Sequence, residues 1–116
     1  MLIPTILLAV SLIAVDCDDQ QTTHDIVYCI GVEVDKAQSE LDRVMRDVRD
    51  SRLFTHSERT IFEDAHEKWK EFVEADCDAV FQHYIEGTIR GPMYQACRWE
   101  HIDSRRKVLE DRYLWG

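Results

Sequence analysis

No stretch of this 116-residue chain alternates apolar and polar residues for long enough to form a half-buried strand, and no segment repeats another. A glycine-rich phosphate loop is missing, as is a G-x-S-x-G elbow, which removes two common seats of enzymatic chemistry. The four cysteines include no C-x-x-C pair, the spacing that would present two thiolates to one zinc ion. His66-Glu67 opens like a zinc-protease H-E-x-x-H helix, but four residues after the histidine stands Lys70, a cation that cannot ligate a metal. The histidines at 24, 56, 66, 83 and 101 share no repeating interval and are expected to face solvent or sit at helix ends. A glycosidase-type carboxylate dyad is also disfavoured, because the acids fall on helix faces that solvation already explains. Read this way, the chain is not an enzyme, and it calls for no metal and no cofactor.

A basic residue is also missing ahead of the first apolar run. Met1 to Val15 is almost wholly apolar and ends in small residues, the pattern of a secretory signal peptide, and an upstream start would supply the missing cation. The run is too short for a comfortable membrane span. Cleavage after Ala14 would leave Leu12 where a small residue is preferred, and Asp16 ahead of Cys17 excludes a lipoprotein signal. The expected division is therefore a signal peptide over 1–15 and one helical domain over 16–116, exported and without a stable membrane span once mature.

Export sets the chemistry of the cysteines. An even count in a small exported domain reads as two disulfides. Pairing Cys17 with Cys29 and Cys77 with Cys97 closes short local loops, each removing on the order of 3 kcal/mol of unfolded-state freedom. The formal net charge of −9 disfavours nucleic acid and anionic membrane surfaces as partners and favours a basic protein.

What is present is helical periodicity. Thr22 or Thr23 can cap a first helix, with Asp25 in its first turn. Val27, Ile30, Val34, Ala37, Leu41, Val44, Met45 and Val48 then recur at steps of three and four. Gly31 within this stripe costs about 1 kcal/mol against alanine, so the preceding turns are expected to form a separate short helix. Asp50 to Phe54 breaks the pattern, and Thr55 with Glu58 is a capping box for a second helix. That helix carries Ile61, Phe62, Ala65, Trp69, Phe72, Val73, Val80 and Tyr84 on a drifting apolar face. Gly87 suits its stop, and Gly91-Pro92 opens a third helix with Met93, Ala96, Trp99, Ile102, Leu109 and Tyr113 on its apolar side. The fold class is all-α, a small bundle of three principal helices cross-linked by two disulfides. Leu41, Trp69, Phe72 and Leu109 are its expected core, Trp99 suits either packing or partner contact, and Trp115 is expected to fall at the fraying end.

The run Ala65-x-x-x-Trp69-x-x-Phe72-x-x-Ala75-x-Cys77, followed by Gly87-Thr88-Ile89, Pro92-Met93-Tyr94, Cys97, Arg105 and Leu109, resembles the LprI-like family of lysozyme inhibitors. Cys17, Cys29 and Leu41-Asp42 match that family's opening, and the resemblance covers nearly all of the mature chain. The chain departs from the family pattern at Ala65-His66-Glu67 and Phe72-Val73-Glu74, where positive charge is lost from the second helix. The resemblance implies an exported, periplasmic protein that binds and blocks a lysozyme-type peptidoglycan hydrolase. Two alternatives share its export and fold: an immunity protein against a peptidoglycan-targeting toxin, and a non-enzymatic interaction module of the envelope.

Inhibition requires only that a rigid surface cover a glycan cleft. The stapled turn and the acidic helix end leading into it are the expected surface, because a cross-link pre-organises them. Its acidic candidates are Glu71, Glu74, Asp76, Asp78 and Glu86. Arg90, Tyr94 and Trp99 complete the set of candidate partner-binding residues.

Overall fold

The computed structural model describes Cys17 and residues 22–114, so the apolar leader and Trp115 lie outside the described residues. Helix α1 spans Thr23–Arg49. Its first turn is closed by the Thr22 side chain, whose oxygen accepts from the Asp25 N–H at 3.1 Å. Ile30, Val34, Leu41, Val44 and Val48 are buried at helical spacing and draw one face of α1 into the core. The expected interruption at Gly31 does not occur. α1 is continuous through it, and a Cβ there would first meet the Gln95 amide at 3.9 Å, an ordinary contact. Packing of the flanking Ile30 and Val34 outweighs one glycine's helix penalty of about 1 kcal/mol.

Helix α2 spans His56–His83 and begins with a complete capping box. Thr55 Oγ1 accepts from the Glu58 N–H at 3.1 Å, and Glu58 Oε1 accepts from the Thr55 N–H at 3.0 Å. The helix ends as Tyr84 donates its N–H to the Val80 carbonyl, and Gly87 folds back to donate to Tyr84 O at 2.9 Å. Helix α3 spans Arg90–Leu109. Pro92 sits in its first turn, where a missing N–H has no helical partner to lose. A single π-helical turn, Glu110–Leu114, carries Tyr113 back over the core.

α3 is the spine of the molecule. It packs along both α1 and α2, whereas those two helices barely touch each other, and the assembly extends 49 × 28 × 27 Å. Leu41 and Leu109 are completely buried, with Val44, Val48, Ala96 and Ile102 in the same cluster. At one end Phe54, Phe62 and Tyr113 form a mutual edge-to-face trio with centroids 5.2, 5.3 and 5.6 Å apart. Cys17–Cys29 ties the lead-in to α1, and Cys77–Cys97 ties α2 to α3 across Cα atoms 5.7 Å apart.

Two sequence expectations for α2 are corrected. Phe72 is not core: it is 56% exposed, as is most of Ile61. His66 is not solvent-facing: it is 6% exposed. One cause explains both. Because α2 leans on α3 and scarcely on α1, its buried seam is narrow and runs Phe62, His66, Trp69, Val73, Cys77. Phe72 stands about 100° around the helix from Val73 and falls outside that seam.

Among the described residues there are no strands, and no helix is long and apolar enough to cross a membrane.

Candidate functional site

The C-terminal half of α2, from Glu71 to His83, carries four carboxylates and no lysine or arginine. Three of them, Glu71, Glu74 and Asp78, are exposed and make no ion pair among the described residues. This sets them apart from acids such as Asp64 and Glu67, whose charges meet Lys68 at 2.6 Å and Lys70 at 3.0 Å. An acid with no internal partner remains available to pair with a cation that approaches.

Asp76 turns the other way. Its Oδ2 lies 2.7 Å from His101 Nε2 and 3.9 Å from the Cys97 sulfur, so it braces the α2–α3 joint beside the disulfide. Exposed Phe72 rests edge-on against the same His101 ring, centroids 5.4 Å apart. The sulfurs of Cys77 and Cys97 lie within 4.8 Å of a His101 ring nitrogen, but they are bonded to each other and offer no thiolate to a metal.

Of the remaining candidates, Glu86 is exposed on the turn between α2 and α3. Arg90 fastens that turn from within: its Nη1 donates to Gly87 O at 3.0 Å and Ile85 O at 3.5 Å. Tyr94 is half-buried with its ring edge-to-face against Phe81. Trp99 packs against the hydrophobic core, so it is a packing residue rather than a free anchor.

The structure gathers some of these residues and not others. Glu74, Asp78 and Tyr94 line one groove, about 450 Å³ in volume, between α1 and α2 with α3 as its base. Buried Val73 and Ile102 supply an apolar floor, and Trp69 an aromatic edge. Glu71, Asp76, Glu86, Arg90 and Trp99 are not among its lining residues. Three polar lining residues were missed by the sequence reading: Gln38, Lys70 and Arg98. Lys70 was legible in principle, since 70, 74 and 78 form one i, i+4 row, and Arg98 follows Tyr94 by the same interval. Gln38 carried no local signal, because only the packing of α1 against α3 brings it there.

Around Trp69 lies a second feature with no sequence motif. The His66 ring stacks on the Trp69 indole, and the Arg105 guanidinium carbon stands 5.9 Å from that indole's centre. Burial, with the nearby positive charges of Arg105 and Lys70, pushes the His66 imidazole down to about 4. Burial and the neighbouring Arg112 also lower Arg105 from the ordinary guanidinium range.

A shallow, rigidly backed groove with an apolar floor and charged rims is suited to receiving part of another molecule. Together these features define a disulfide-braced three-helix domain with an open amphipathic groove. The chain belongs to the LprI family, whose sequence profile, described as "Lysozyme inhibitor LprI", matches residues 16–109. Comparison with curated proteins and with solved structures gave no match.

Proposed function

We propose that this protein is an exported, non-enzymatic inhibitor that binds a lysozyme-type peptidoglycan hydrolase and covers its glycan cleft. The observation that carries the reading is the acidic edge of α2 formed by Glu71, Glu74 and Asp78, which make no ion pair among the described residues, on a chain of the lysozyme inhibitor family. Lysozymes of the animal type are strongly basic. A partner of net charge −9 with unpaired carboxylates beside a groove gains long-range steering and faster encounter. The Cys77–Cys97 bond holds α2 and α3 in register under that edge, so little ordering remains to oppose binding. The apolar leader over 1–15 supports export to the periplasm, where both disulfides form and where such hydrolases act.

Turbidity clearing of a cell-wall suspension tests this directly. At low salt and excess oxidised protein, lysis by a basic lysozyme should slow, and added salt should restore it. Unaltered clearing across that range would overturn the proposal.

A further inference from the structure

A second cleft lies away from the groove, between the first half of α2 and the end of α3. It is about 310 Å³ in volume. Its walls are apolar and aromatic, from Phe54, Ile61, Phe62, Leu109 and Tyr113. Two arginines, Arg105 and Arg112, also line it. Neither makes an ion pair among the described residues, while Arg106 and Lys107, on the same helix, are both paired with Asp103. The one carboxylate on the cleft wall, Glu58, is engaged by the Thr55 N–H in the capping box.

Arg105 is the half-buried member. Its Nε is fully buried and has no hydrogen-bond partner. One face of its guanidinium has Trp69 for company, which a cation–π contact satisfies in part but which accepts no N–H bond in the guanidinium plane. The influences on Arg105 besides burial are repulsion from Arg112 and a favourable effect of Tyr113, with no carboxylate among them. A pair of like charges lining an apolar recess is relieved by an anion.

We infer that this cleft is a binding site for a small amphiphilic carboxylate, with the carboxylate between Arg105 and Arg112 and an aliphatic or aromatic body against Phe54, Ile61 and Phe62. Guanidinium groups favour carboxylates through paired N–H···O bonds, and the apolar wall selects against bare anions. The volume admits a chain of modest length. Exposed Ile61 then has a role that packing does not give it, as it closes one side of the recess.

The test is titration of the oxidised full chain with octanoate, octanol and acetate, followed by amide and Arg Nε chemical shifts. Octanoate should perturb Arg105, Tyr113 and Phe62 together, and bind about tenfold more tightly than either control. Exposed Arg112→Gln, which leaves the core intact, should weaken octanoate about fivefold and leave octanol unchanged. Octanol binding as tightly as octanoate would show an apolar recess only and overturn the assignment. Equal binding of acetate, shifts scattered outside the cleft, or an Arg112→Gln variant with unchanged affinity would do the same.

Discussion

The imidazole of His66 lies nearly flat on the indole of Trp69, with ring centroids 5.1 Å and planes 19° apart. Because His66 occupies a core position of α2, the stack joins the helix seam to the Arg105 guanidinium on the indole. This trio links α2 to α3 along the stretch that the Cys77–Cys97 bond does not reach, and its central ring also edges the groove.

The stack makes stability depend on mild acid. His66 has a folded value of about 4, against an ordinary 6.5, chiefly because burial penalises the imidazolium. A histidine lowered on folding binds more protons when unfolded, so its contribution is complete above about pH 6.5 and is lost as pH falls toward 4. After allowance for solvent screening the loss amounts to about 1–2 kcal/mol. Urea midpoints at pH 7, 5.5 and 4.5 should fall less in His66→Phe, which keeps a stacked ring without the titration. Parallel curves for the two proteins would refute the assignment.

The start of α2 rests on two reciprocal bonds between Thr55 and Glu58. Thr55→Ala should lower stability by about 1 kcal/mol. Glu58→Gln, which can still accept from the Thr55 N–H, should cost less. Chemical denaturation of the two variants decides the ranking, and an indifferent Thr55→Ala would mean that the aromatic trio alone fixes this end.

Gly91 meets α1 closely. A Cβ at this position would come 2.9 Å from Val27 Cγ2, too near for both to stay in place. Gly91→Ala should therefore destabilise by about 1–2 kcal/mol despite its better helix propensity, through overpacking. Val27→Ala in the same chain should recover part of that loss, giving a coupling energy of about 1 kcal/mol in a double-mutant cycle. Additive losses would show that the two residues do not compete for space.

Much of this arrangement was written in local pattern. The α1 stripe, the Thr55–Glu58 box, the breaks near Asp50 and Gly87 and the local disulfide pairing all follow from spacing, capping chemistry and loop closure. The α2 seam did not. Phe72 and Ile61 have the right hydrophobicity for a core, and His66 the wrong one, so only the lean of α2 on α3 decides which row is buried. The groove was half legible for the same reason. Glu74 and Asp78 share one helix row, but Gln38, Arg98 and Tyr94 join them only through the packing of α3 between its neighbours.

The acidic edge gives the functional reading its sharpest consequence. Glu74→Lys with Asp78→Lys exchanges two unpaired carboxylates at the groove for cations, and exposed side chains of this kind leave the fold within about 0.5 kcal/mol. If these acids steer a basic hydrolase, the double variant should slow association and weaken inhibition at least about tenfold at low salt, with a smaller effect at high salt. Reversal of Glu63 and Asp111, also exposed but not lining the groove, changes the net charge equally and should cost much less. Surface plasmon resonance at two ionic strengths separates the possibilities. Equal losses in both double variants would assign the attraction to overall charge, and no loss at Glu74 and Asp78 would remove this edge of α2 from the interface.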